Sequence, residues 1–412
     1  MMAELEGKQD METQVFDYDI ALLGAGLANG LIALRVKQKL PHLRLILLER
    51  KHEIGASQTW SFHLNDLLLN GCETDLQWMA DFNLTTWNRY EVKFPGLRRD
   101  LCGPYYALRG EAFAAYMKKN LAAELCLGQG VKGVEGSKVS LADGSTLTAR
   151  LIIDGRGWAD NGSMPCGYQK FYGQLVKLKH PHGRQNPLIM DADLPQREGF
   201  RFIYSLPFSV DTMLIEDTRY SLDASIDQAE FRQEIAAYAE HNAWHITHVL
   251  DEEMGALPIP LRSSWKPPSP SKNLIYSGLA AGHFHPVTGY SIANAIRFSK
   301  WVVAELEMPQ NQWCTQRFHD YSMKHWQAGE FYRRLNNMLF LAASCEKRYL
   351  VLEKFYHHRE PLISRFYAQR LTCLDRLRLL SGKAPVPLSR GISAFFRNIG
   401  VEHDIEKNRV FG

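Results

Sequence analysis

The stretch that decides the fold is Asp19-Ile20-Ala21-Leu22-Leu23-Gly24-Ala25-Gly26-Leu27-Ala28-Asn29-Gly30. A short apolar run ending in glycines reads as a buried parallel strand running into a tight turn. Gly24 and Gly26 allow that turn and let backbone come close to a pyrophosphate. The segment that follows, Leu27 to Leu40, is a helix candidate whose N-terminal N–H groups and positive dipole end would face the phosphates. Leu43 to Glu49 is a second strand, and Glu49 at its end is placed to bind adenosine ribose hydroxyls. Asn29 stands where the third glycine of the fingerprint belongs, with Gly30 beside it. Strand, glycine turn, helix, strand and acid together predict a dinucleotide-binding βαβ unit opening a doubly wound sheet.

Outward from this unit, the texture changes at 131–154. Val139 to Leu147 reads as two strands around Asp143-Gly144, a strong hairpin signal, and Leu151-Ile152-Ile153-Asp154 is a buried strand ending at Gly155-Arg156-Gly157. Strand-like runs at Gly199–Leu206 and Met213–Thr218 suggest an antiparallel sheet, and Leu274 to Gly278 returns to a buried strand. From Ile292 onward the spacing of apolar residues is helical. The expected organisation is therefore a leader at 1–16, a dinucleotide-binding domain at 17–164, and an inserted antiparallel-sheet substrate domain at 165–262. A return segment follows at 263–300, and a helical, basic region at 301–412. The fold class is α/β, with an α+β second domain.

Composition sets limits on function. The chain has 412 residues, 45% of them hydrophobic and 23% charged, and a net charge of +3. That balance is ordinary for a globular protein and gives no argument for nucleic acid. The charge is uneven, however: from Phe331 onward there are 15 Lys and Arg against 7 Asp and Glu. A basic tail with the aromatics Phe355, Tyr356, Phe366, Tyr367, Phe395 and Phe396 suits an anionic membrane surface. The seven cysteines form no CxxC pair and read as reduced thiols of a cytosolic compartment. The first residues are polar and acidic, unlike a secretory signal. No HExxH or paired-cysteine spacing is present, so no metal is expected. The 24 uncharged residues between Lys272 and Arg297 contain three glycines and Pro286, which argues against a spanning helix.

Several blocks carry a resemblance. Gly24 to Arg35, Thr59-Trp60-Ser61-Phe62-His63, Ile153 to Gly157 and Tyr204-Ser205-Leu206-Pro207 are similar to segments of proteobacterial lycopene β-cyclases. So are Leu214-Ile215-Glu216-Asp217-Thr218, Gly255 to Ile259, His285 to Ser291 and Arg376 to Lys383. They run in family order from about residue 18 to 390. The hairpin before Asp154-Gly155 also resembles the glutathione-reductase and hydroxylase flavoproteins. The resemblance implies FAD as cofactor, in its reduced form, with NAD(P)H as reductant. Residues expected near FAD are Gly24, Gly26, Asn29, Glu49, Arg109, Asp154, Gly155, Gly282, Pro286 and Gly289, with Leu279 where related hydroxylases carry an aspartate. The implied reaction closes the ψ-ends of lycopene into β-rings without net redox change.

That chemistry asks for an acid in a dry site with fixed negative charge and aromatic faces to stabilise a carbocation. Glu216 is the candidate acid; strand alternation sends Asp217 to the opposite face. Trp60, Phe62, His63 and Tyr290 are candidate pocket faces, and His285 is expected to be structural. An FAD-dependent monooxygenase or a prenyl-chain reductase would use the same scaffold, and a non-catalytic carotenoid carrier would keep only the binding site. The expected setting is cytoplasmic, with the chain held peripherally at the inner face of the cell membrane, which would give access to a substrate insoluble in water.

Overall fold

A computed structural model describes residues 15–55, 58–158, 164–382 and 385–399. The leader up to residue 14, Lys383, and the C-terminal region beyond residue 399 lie outside the described residues. Phe16, the last residue assigned to the leader, is buried and lies 4.9 Å beneath the Arg150 guanidinium.

A seven-stranded sheet is built around Tyr18–Leu23, which pairs in parallel with Leu45–Glu49 on one side and Thr146–Asp154 on the other. Ala21 is level with Ile46 and Ile152 in the two ladders. These strands read as continuous apolar runs because helices or hairpin strands cover both faces. The return strand, Leu274–Tyr276, adds in parallel to the end of Thr146–Asp154. The Asp143-Gly144 turn joins Lys138–Leu141 to Thr146–Asp154, with Gly144 at φ +92°. Helix Leu27–Lys39 packs between the sheet and helices Gly110–Asn120 and Ile292–Leu306. Gly30 makes this packing possible, since a Cβ there would lie 2.7 Å from Met117 Sδ and 2.8 Å from Phe113. Gly30, not residue 29, therefore does the close-packing work of a third glycine.

The second sheet has eight strands, in the order Ile246–Pro260, Cys166–Leu178, Thr212–Ser221, Phe200–Pro207, Leu188–Asp191, Thr85–Phe94, Leu97–Arg109, Thr59–His63. Its membership differs from the expected boundaries. Three of its strands come from 59–109, inside the span assigned to the dinucleotide domain. Local pattern identifies a strand but not the sheet it joins. Here Leu188–Asp191 pairs in parallel with Thr85–Phe94 and splices the two chain segments into one sheet.

Helix Gln228–His241, capped by the Asp227 carboxylate on the N–H groups of Ala229 and Glu230, covers one face of this sheet. Tyr172, Val176, Ile203, Met213 and Ile215 point to the helix and meet Phe231 and Ile235. Asp217 points the same way and is fully buried between Arg201 at 2.8 Å and Arg219 at 3.3 Å; Glu230 and Glu234 complete the cluster. Removing the central carboxylate would take from two buried guanidiniums their one fully buried partner and leave them only the partly exposed carboxylates of Glu198, Glu230 and Glu234. Asp217→Ala is expected to cost about 3–5 kcal/mol in urea unfolding, and an unchanged midpoint would refute this structural role.

Candidate functional site

The cofactor-type groove lies at the C-terminal ends of the parallel strands. Gly24, Ala25, Gly26, Glu49, Gly155, Arg156 and Gly278 line it. Gly24 adopts φ +89°, and a Cβ on it would meet Gly155 O and Arg156 Cα at 3.1 Å. At Gly26, the N-cap of the helix, the space is open. Glu49 accepts hydrogen bonds from Ala25 N at 2.9 Å and Lys51 N at 3.1 Å, which fixes its carboxylate beside the turn. A bare helix N-terminus with an acid at the next strand tip fits the phosphates and ribose of a dinucleotide.

Asn29 has a different place from the one expected. It is buried behind the turn, and its Nδ2 donates to Leu23 O at 2.9 Å, Gly24 O at 3.0 Å and Ile153 O at 3.3 Å. Its Oδ1 accepts from Ser277 Oγ at 2.7 Å. Asn29 thus ties three strand ends together and does not line the groove. Asp154 likewise acts through a neighbour: its carboxylate holds Arg156 at 2.9 and 2.6 Å, and Arg156 is the residue on the groove wall.

Beyond Trp60, Leu279, Gln58 and Ser291, which border both spaces, the groove continues into a chamber over the free face of the second sheet. Its walls carry Phe171, Phe202, Tyr204, Tyr220, Tyr290 and Tyr367. Tyr105 sits beneath them, hydrogen-bonded to Tyr204 and, at 2.8 Å, to Tyr290. Burial raises the pKa of all three phenols well above the usual value, so they stay neutral.

Two carboxyls face this chamber. Glu216 accepts from Thr218 Oγ1 at 2.8 Å. Glu253, only 7% exposed, accepts from Thr59 N at 2.7 Å through Oε2, while Oε1 has no hydrogen-bond partner among the described residues. Burial, together with the charge of Glu253, raises Glu216 well above the carboxylate range, and burial pushes Glu253 up to about 7. Glu253 escaped the sequence reading because nothing local links it to Glu216. The link is the register, in which both residues lie opposite Gly173.

Other expected residues fall elsewhere. Arg109 is absent from the groove wall; it pairs with Asp251 at 3.0 Å and reaches Thr59 Oγ1 at 3.3 Å, on the Glu253 side of the chamber. Phe62 is fully buried and stacks on Tyr106 at 5.0 Å, on the opposite side of its strand from a chamber residue, Ser61. Gly282 packs against Trp326, and Pro286 lies against Gly329, so neither reaches the groove. Gly289 and Tyr290 line the chamber instead. His63 is buried among Tyr90, Tyr105 and Tyr367, and burial pushes its imidazole down to about 3. His285 is a turn residue: Nδ1 accepts from Val287 N and Thr288 N at 3.2 Å, and Nε2 donates to Phe366 O at 3.0 Å.

This architecture is the fold of the flavoprotein monooxygenases and reductases. A geranylgeranyl bacteriochlorophyll reductase-like protein from Thermoplasma acidophilum superimposes with a TM-score of 0.59 at 14% identity, covering 89% of this chain and 96% of that one. A probable FAD-dependent monooxygenase from Pseudomonas aeruginosa gives 0.55 at 14% identity, over 82% and 99%. The particular family is settled by sequence. The chain belongs to the lycopene cyclase family, whose model, described as lycopene cyclase protein, matches residues 19–393. It is 41% identical over 377 residues to a lycopene beta-cyclase of Pantoea ananas, covering 92% of this chain and 97% of that protein. With a lycopene beta-cyclase of a Paracoccus species it shares 36% over 382 residues, covering 91% and 96%.

The Asn29 arrangement gives a test of its own. Asn29→Ala deprives buried carbonyls of a donor, and each one left unsatisfied costs about 1–3 kcal/mol. A lowered melting temperature is expected, and wild-type stability would contradict the tie between strands.

Proposed function

We propose that the protein closes the linear ψ-ends of lycopene into β-rings, giving β-carotene through a one-ring intermediate with no net redox change. The observation that carries this reading is the position of Glu216, in an aromatic, largely apolar chamber that opens onto a dinucleotide groove. The lycopene beta-cyclases to which the chain is similar support the choice of substrate.

An alkene is a very weak base, so the proton donor must stay protonated at neutral pH and be shielded from water. Burial does both for Glu216. Protonation of the terminal alkene leaves a tertiary carbocation, and the faces of Tyr204, Tyr220, Tyr290 and Trp60 are suited to stabilise it. Gly24, Gly26 and the helix start would hold the FAD pyrophosphate, and Glu49 the adenosine ribose. Reduced FAD, brought to that state by NAD(P)H, would supply fixed negative charge or a proton relay near the chamber without being consumed. Trp60 and Leu279 mark the boundary between cofactor and substrate space.

Anaerobic incubation with lycopene, FAD and dithionite is expected to yield β-carotene of unaltered mass. A product heavier by oxygen or hydrogen would instead indicate a monooxygenase or a reductase. Glu216→Gln is expected to lower the rate by about 10²–10⁴-fold while leaving FAD bound; a fully active variant would exclude Glu216 as the acid.

We further propose that the chain meets its substrate at the inner face of the cell membrane. Among the described residues no helix is long and apolar enough to cross a bilayer. Of the aromatics first expected to face lipid, Phe355, Tyr356, Phe366 and Tyr367 are buried and form core under the chamber, whereas Phe395 is half-buried and Phe396 is exposed. Support for the reading comes from the last two helices, Cys373–Leu380 and Leu388–Phe396. They expose Leu374, Leu377, Leu388, Ile392 and Phe396, with Arg376, Arg378 and Arg390 exposed beside them. The buried Asp375, held by Arg365 at 2.7 Å and capping with Thr372, sets the first of these helices with its leucines outward. Such an apolar, basic surface suits anionic lipid. Replacing Leu377, Leu388, Ile392 and Phe396 together by Ser should abolish co-sedimentation with anionic vesicles while flavin absorbance persists. Equal binding of variant and wild type would refute the membrane proposal.

A further inference from the structure

We propose that Glu253 is the second carboxyl of the reaction, the acceptor of the proton that leaves the cyclised end group after Glu216 has delivered the first. This rests on the cyclisation reading above.

The geometry is set by one glycine. On strand Cys166–Leu178, Gly173 is level with Glu216 on one neighbouring strand and with Glu253 on the other. A Cβ at Gly173 would lie 3.2 Å from Glu253 Cγ and 3.3 Å from Glu216 Cβ. Both side chains therefore lean over the same bare backbone, on the chamber face. Two carboxylates placed this way resist ionising together and tend to share a single proton.

The surroundings decide which one holds it. Glu253 accepts from Thr59 N and feels the Arg109 guanidinium, both of which favour its charged form against burial and the Asp251 charge. Glu216 has a hydroxyl, Thr218, against burial and the charges of Glu253 and Asp217, with the neutral Tyr204 nearby. The remaining charges are on the far face, where Glu252 is paired with Arg232, and Asp217 with Arg201 and Arg219. The resting pair is thus Glu216 protonated and Glu253 ionised, an acid and a base set apart by environment.

The step balances with that pair alone. The Glu216 O–H bond breaks and its proton forms a C–H bond at the terminal alkene carbon. The π pair of the nearer internal alkene forms the ring C–C bond and moves the cation into the ring. The adjacent ring C–H then breaks, its electron pair completes the ring double bond, and its proton forms an O–H bond on Glu253. Nothing is oxidised or reduced. Proton passage across the pair returns it to the starting state. Oε1 of Glu253, which has no hydrogen-bond partner among the described residues, is the atom available to take up that proton.

The test uses the holoenzyme with reduced FAD and lycopene. Wild-type kcat is expected to rise with pH as Glu253 ionises, near its value of about 7, and to fall at higher pH as Glu216 loses its proton. Glu253→Gln should lower kcat by about 100-fold or more and erase the acidic limb, with FAD affinity and the KM for lycopene retained. Glu253→Asp should recover part of the rate together with the limb. Gly173→Ala, which wedges a methyl between the carboxyls, should lower kcat and shift both limbs. A Glu253→Gln enzyme with wild-type rate and an intact acidic limb would overturn the proposal. So would a loss of rate that merely followed weakened FAD binding, the result expected if Glu253 only anchors Thr59. Should Glu253→Gln fail to fold, Gly173→Ala with wild-type limbs would overturn it equally. Failure of the wild type to cyclise lycopene would instead remove the underlying reading of function.

Discussion

The Asn29 side chain is the constraint on which the cofactor end of this protein depends. Its amide binds the carbonyls of Leu23, Gly24 and Ile153 and receives the Ser277 hydroxyl. Segments more than 120 residues apart are thereby clamped to one turn, and every donor and acceptor of a buried amide is used. Gly155 must lack a side chain because its Cβ would fall 2.6 Å from this amide. The departure from a glycine fingerprint is thus compensated twice: Asn29 braces the loop, and Gly30 takes over the close approach to Met117 and Phe113.

The groove braced in this way opens onto the second sheet, whose two faces have opposite chemistry. Along Thr212–Ser221, period-2 alternation sends Glu216 to the chamber and Asp217 to the side covered by helix Gln228–His241. The charge of Asp217 is met by two arginines and stays useful to stability alone. The charge of Glu216 is met by another carboxyl, so desolvation dominates and the proton is retained. Adjacent residues of one strand thereby meet opposite electrostatic surroundings.

The helical C-terminal region closes the chamber from the other side. Tyr367 lines the chamber, whereas its neighbour Phe366 lines an apolar cavity beneath the last two helices. A protein core and a lipid-facing surface draw on the same residue types, so a basic aromatic sequence does not reveal which of its side chains are outside. Burial assigns Phe355, Tyr356, Phe366 and Tyr367 to the core and leaves Phe396 exposed with the leucines on short helices of set orientation.

The sequence by itself determined the parts governed by near neighbours. These are the βαβ unit from Asp19 to Glu49, the Asp143-Gly144 hairpin, the helical end of the chain and the opposite facing of Glu216 and Asp217. Each depends on local periodicity or on the backbone freedom of a glycine, which residues close in the chain control. Only the tertiary structure decided that strands from 59–109 join the second sheet, that Arg109 faces Asp251, that Phe62 is core, and that Asn29 is a brace. It alone placed Glu253 beside Glu216. Those facts depend on strand register and on contacts between residues tens to hundreds of positions apart, and a one-residue slip in register would turn either glutamate away from the chamber.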